Sequence, residues 1–126
     1  MKSNFYRTLA GLLAISVCFS CSNFHNGHNI NISISESSHK YRLSAYYGRA
    51  NYEKVHRYIN ECIQPTRLDG DYVDVTTTLE DKTTFYIKST SGELLIKLDK
   101  RENSEASYRR IKKICEGIKE VLKDNK

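Results

Sequence analysis

Four cysteines, at positions 18, 21, 62 and 115, are the side chains of this chain best suited to chemistry. Cys62 and Cys115 lie far too far apart for a redox Cys-x-x-Cys motif, and two cysteines fall short of the four ligands a structural zinc takes. His25 and His28 flank Asn26-Gly27. A His-x-x-His pair can hold a metal loosely, but no third ligand is at hand, so a solvated linker is expected. Asp69, Asp71 and Asp74 resemble the start of a calcium loop. The sixth and twelfth positions of that loop fall on Asp74 and Glu80, so its required glycine is missing and a turn entering a strand is expected instead. Ser37-Ser38-His39 suggests a hydrolase only superficially, since no nucleophile-elbow pattern surrounds it. His39, beside a turn, and His56, on the first helix, are expected at the surface. The expectation is a protein that is not an enzyme, with no catalytic residue, no metal and no cofactor.

The N-terminal segment gives the cysteines their context. Lys2 and Arg7 precede an apolar run from Leu9 to Phe19, broken only by Gly11 and Ser16, and Ser20 stands before Cys21. The run is about half the roughly 20 residues needed to cross the hydrocarbon core, which favours a processed signal over a retained helix. Residues 1–21 resemble the signal of bacterial lipoproteins. In that family a small residue precedes a cysteine that is lipidated and becomes the mature N-terminus. Ser20 and Cys21 match this. The third residue before the cysteine, usually Leu, is Cys18 here, closer to the permissive boxes of Bacteroidetes-like bacteria. The resemblance implies a lipid (palmitate-type) anchor on Cys21. The alternatives are plain cleavage after Ser20 or a retained anchor. Each buried methylene adds about 0.8 kcal/mol, so the three chains the family implies would make attachment effectively permanent. Residues 1–20 are thus expected to be signal, 21–29 a flexible tether, and 30–126 a single domain.

Composition then sets limits. Of 20 Lys and Arg, only Lys2 and Arg7 lie in the signal, and none of the 15 acids does, so the remainder keeps a small excess of three positive charges. That balance does not call for nucleic acid. The lipoprotein resemblance implies a bacterial cell envelope, with the periplasmic side favoured because no acidic run follows Cys21. Membrane attachment through the lipid and an envelope protein partner are expected; acidic glycan or headgroups are the other electrostatic partners. With Cys18 lost and Cys21 lipidated, Cys62 and Cys115 remain in an oxidising compartment. A disulfide between them is expected, with two separate buried thiols as the alternative.

The elements follow from periodicity. Ile30, Ile32 and Ile34 alternate with polar residues, as do Tyr41, Leu43, Ala45 and Tyr47, which predicts a hairpin ended by Gly48. Asn51 is expected to cap a helix carrying Tyr52, Val55, Ile59, Cys62 and Ile63, stopped before Pro65. Three short strands are predicted at 72–79, 83–88 and 93–99, with Val73, Val75 and Leu79 on one side of the first. Ser104 or Asn103 is expected to cap a last helix with Tyr108, Ile111, Cys115, Ile118 and Leu122 in its stripe, widened by Ile114 and Val121. Arg109, Arg110, Lys112 and Lys113 are expected on its solvated face. The fold class is therefore α+β: a small, mostly antiparallel sheet in the order β-β-α-β-β-β-α, with two helices packed on one face. Both cysteines fall on the apolar sides of those helices.

Nine tyrosines against no tryptophan complete the pattern. Alternation cannot bury Tyr46 and Tyr47 on the same sheet face, so at least one is expected to be exposed, or covered by an edge or helix. Arg42, Ser44 and Tyr46, on the face away from the helices, are the expected binding surface. The expected function is a non-enzymatic protein-binding or assembly module. The alternative is a module binding a small molecule, a glycan or, as an inhibitor, a hydrolase.

Overall fold

The computed structural model describes residues 22–26 and 30–123. The signal, Cys21 and His28 lie outside the described residues. Six strands and two longer helices follow one another: β1 (Ser22–Asn26), β2 (Ile30–Glu36), β3 (Lys40–Tyr46), α1 (Tyr52–Ile63), β4 (Val73–Thr78), β5 (Thr84–Ser89), β6 (Glu93–Asp99) and α2 (Glu105–Lys123). The fold is mixed α+β, with all neighbouring strands antiparallel in the order β1-β2-β3-β6-β5-β4. Each element predicted from periodicity is present to within a residue or two.

The addition is β1. Five residues of the stretch expected to be a tether pair in register with β2, from Ser22↔Ile34 to Asn26↔Ile30. β2 otherwise ends the sheet, and its outer backbone groups need partners that a neighbouring strand supplies. No periodic pattern in this polar stretch announces the pairing.

The core lies between the sheet and the helices. Ile30, Ile32, Leu43, Ile87, Leu94, Ile96 and Leu98 meet Val55, Ile59 and Ile63 of α1 and Ile111, Ile114, Ile118 and Leu122 of α2 in one buried cluster. Burial of each such side chain stabilises by roughly 1.5–3 kcal/mol, which is why alternation on the strands and three- and four-residue steps on the helices select these elements. Tyr47 is buried and Tyr46 is 49% exposed, as the alternation demands. Val75 departs from expectation. It lies opposite fully buried Ile87, yet is 43% exposed, while Val73 and Leu79 on either side of it are buried.

The helix ends divide as well. Ser104 caps α2, its hydroxyl accepting from the Ser107 N–H at 3.0 Å. Asn103 instead bridges to Thr84, accepting from its N–H at 2.8 Å and donating to its carbonyl at 2.9 Å. Asn51 does not cap α1 through its side chain. It is buried, and its amide donates to the Tyr47 carbonyl at 3.0 Å, a stronger demand than capping for a buried polar group.

Candidate functional site

β3 alternates strictly: Tyr41, Leu43 and Ala45 turn to the core, and Arg42, Ser44 and Tyr46 turn outward and are exposed. The three residues expected as a binding surface thus share the uncovered face. The strand order brings others beside them. Arg42 lies directly opposite Lys97 on β6, and Lys97 opposite Tyr86 on β5. Ser35 flanks Arg42 from β2, and Ser33 flanks Ser44. Lys97 stacks its ammonium over the Tyr86 ring, 5.0 Å from the centroid. The Tyr86 hydroxyl donates to Asp74 at 2.8 Å, and Asp74 lies opposite Lys88 across the β4–β5 ladder.

Directly opposed like charges on a sheet face destabilise it. Here Arg42 has no hydrogen bond or ion pair among the described residues, and the nearest acids are spoken for or set aside. Asp99 is held by Arg101 at 3.0 Å and Lys40 at 3.4 Å, and Glu93 lies opposite Tyr46. The hydrogen bonds from Arg101, and then its charge, hold the Asp99 carboxyl far below the usual carboxylate range. Two depressions meet at Arg42. One, of about 600 Å³, includes Ser35, Lys40, Arg42 and Lys97 in its lining, with Glu36, already engaged by Lys100, as its one carboxylate; the other, of about 130 Å³, includes Arg42, Ser44, Lys88 and Glu93. A guanidinium fork, ammonium groups and serine hydroxyls together can grip a carboxylate or similar anion. Lys97 and Tyr86 follow the same outward alternation in sequence, but nothing in sequence says that β6 lies next to β3 and β5 next to β6.

The other polar groups act as fasteners. Glu36 ends β2 on the helix side, where Tyr108 of α2 donates a short hydrogen bond to it and Lys100 reaches it at 2.7 Å. Burial pulls the Glu36 carboxyl up, but the hydrogen bonds from Lys100 and Tyr108 and the charges of Lys100 and Lys112 outweigh it and leave the group below its ordinary value. Burial first, and then the Glu36 bond, raises Tyr108. On α1, Tyr52, His56 and Asn60 form a row at four-residue steps that clasps the following loop. Tyr52 donates to the Gly70 carbonyl at 3.0 Å, the His56 ring meets the Leu68 carbonyl at 3.1 Å, and Asn60 accepts from the Leu68 N–H at 2.8 Å. Arg110, expected on a solvated face, instead reaches Asp81 at 2.8 Å and the Cys62 carbonyl at 3.0 Å. Lys112 likewise turns to Glu36, at 4.0 Å.

The remaining sites expected to be structural have structural settings. The Ser37 hydroxyl accepts from the His39 and Lys40 N–H groups in the β2–β3 turn. Asp69 pairs with Arg67, and Asp74 accepts from Tyr72 and Tyr86. His25 belongs to β1. Cys62 and Cys115 carry free thiols, Cys62 half-buried and Cys115 fully buried. Burial, with the nearby Glu116, pushes the Cys115 thiol up to about 12. Both thiols neighbour Tyr58, whose hydroxyl is pushed up to about 12 by burial, by its bond with Cys62 and by the charge of both sulfurs. Among the described residues no helix is long and apolar enough to cross a membrane. No family model, curated protein or solved structure matches this chain.

Proposed function

We propose that this chain is a lipoprotein of the bacterial cell envelope, held by lipid on Cys21, whose domain is a non-enzymatic docking module. In this reading the open sheet face receives an acidic segment of another envelope protein, on the periplasmic side. The observation that carries it is the Arg42–Lys97 pair: two cations directly opposed on an exposed face, with no acid spent on either. A partner carboxylate would remove that repulsion, and Tyr46 beside it offers an aromatic anchor. The Cys62–Cys115 disulfide belongs to the same proposal, as the product of export to an oxidising compartment.

The larger depression supports a second reading, a small anionic molecule or acidic glycan seated beside Arg42, because its volume is that of a ligand cleft. Photocrosslinking from position 44 of the exported protein in its own cells separates the two. The docking reading expects one envelope protein trapped through an acidic segment. With that purified partner, Arg42→Glu and Lys97→Glu should each weaken binding by about tenfold or more, and added salt should weaken the wild-type complex. If both charge reversals and Tyr46→Ala leave capture unchanged, the open face is not the docking surface. Saturable binding of an acidic oligosaccharide, with no protein trapped, selects the second reading.

A further inference from the structure

β4 is a free edge of the sheet. It pairs with β5 on one side, and among the described residues no strand lies on the other. A bare edge presents unpaired N–H and C=O groups, and proteins commonly guard it with lysine, proline, a bulge or a covering element. β4 has the sequence Val-Asp-Val-Thr-Thr-Thr, with no lysine or proline, and its register with β5 runs unbroken from Val73↔Ser89 to Thr78↔Thr84. Five of its six residues are β-branched, the side chains best suited to a pleated strand. Val75, opposite the buried Ile87, is 43% exposed and forms an apolar shelf between the buried Val73 and Leu79. Tyr72, just before the strand, is 62% exposed. Two of the three large apolar side chains exposed among the described residues therefore sit at this edge.

Charge decides what fits there. From Leu68 to Asp81 the chain has no Lys or Arg, but it has Asp69, Asp71, Asp74, Glu80 and Asp81. Arg67 and Arg110 meet the two outermost acids, while Asp71 and Glu80 have no ion-pair partner among the described residues. A second copy is therefore a poor occupant. Antiparallel pairing of β4 with itself would lay Asp69 and Asp71 of one copy near Glu80 and Asp81 of the other, and like charges across a ladder repel.

We infer that the β4 edge accepts an extended basic segment of a partner protein as an added strand. The segment would carry apolar side chains at alternate positions, to lie along Val75, and Lys or Arg at both ends, to meet Asp71 and Glu80. Backbone hydrogen bonds supply the affinity and the flanking charges the selectivity. This edge is separate from the cationic open face and selects the opposite charge.

The test uses the 15N-labelled full chain and a peptide of alternating valine and threonine with paired lysines at each end. Binding should shift the amide resonances of Val73–Thr78 and slow their hydrogen exchange by about tenfold or more. The same core flanked by glutamates should do neither, nor should a glycine–serine peptide with the same lysines. Val75→Lys, and separately Asp71→Asn with Glu80→Gln, should weaken the lysine peptide by about tenfold. Unchanged β4 amides would overturn the inference, as would equal binding of all three peptides. Protection of β4 that appears with protein concentration alone would overturn it in favour of a second copy.

Discussion

At the scale of single residues, Gly117 shows how tightly the two helices are fitted. A glycine inside a helix costs about 1 kcal/mol relative to alanine, so its place in the middle of α2 needs a reason. A Cβ at this position would fall 1.7 Å from the Tyr58 hydroxyl and 2.5 Å from the ring carbon that bears it. The phenol of α1 therefore rests directly on the α2 backbone. Gly117→Ala should destabilise the wild-type protein by about 1–2 kcal/mol, because Tyr58 must leave its seat. In a Tyr58→Ala background the same change should stabilise by up to about 1 kcal/mol, since only helix propensity remains. Urea unfolding of the four proteins measures this as a coupling of opposite signs. An effect of equal sign and size in both backgrounds would mean that the glycine does not serve Tyr58. The sequence shows the glycine and the tyrosine but gives no hint that they touch, because contact between residues on different helices depends on how those helices lie.

At the scale of elements, what was legible is what periodicity encodes. Alternation located five strands and showed that Tyr47 goes inward and Tyr46 outward; three- and four-residue steps located both helices. What periodicity does not encode is adjacency. Pairing of β3 with β6 joins residues some fifty positions apart, and only that pairing sets Lys97 opposite Arg42 and turns an exposed strand face into a charged site. β1 escaped because a polar strand on a sheet edge has no apolar rhythm, and the Tyr52–His56–Asn60 clasp escaped because polar residues on a helix read as solvated by default. The helix pair also bears on the cysteines. α1 and α2 pack together, and Tyr58 neighbours both sulfurs. The raised Cys115 thiol supplies little thiolate at neutral pH, so uncatalysed closure of a bridge should be slow. The exported protein is nevertheless expected to carry the bridge, which would add up to roughly 4 kcal/mol through the loop it closes. Mass spectrometry under non-reducing conditions should find the peptides of Cys62 and Cys115 joined. Two free thiols on the exported chain would remove the bridge from the proposal.

At the scale of the whole molecule, stability should depend on pH from both sides, because the fasteners between layers are ionised acids while the core holds neutral phenols and a thiol. Glu36 ties β2 to α2 and to Lys100, and Asp81 ties the β4–β5 turn to α2 through Arg110. Burial raises Asp81, but its hydrogen bonds from Thr83 and Arg110 and the Arg110 charge prevail, so Asp81, like Glu36, sits below its ordinary value. As the pH falls below about 4, the unfolded chain takes up protons on these carboxyls before the folded one does, and stability declines through the folded values. On the alkaline side, burial pushes Tyr47 up to about 12 despite its bond with Ser89, and Tyr58 reaches a similar value. The unfolded chain there loses protons first, so stability held at neutral pH declines as the pH climbs from about 9 toward 12. Urea midpoints measured across this range should trace a plateau with two falling limbs. Glu36→Gln isolates one fastener. It should be less stable than wild type at neutral pH, where the carboxylate meets Lys100, and the gap should close as acid protonates Glu36 in the wild type. A gap that stays constant from neutral pH to about pH 2 would show that Glu36 contributes through its shape and not through its charge.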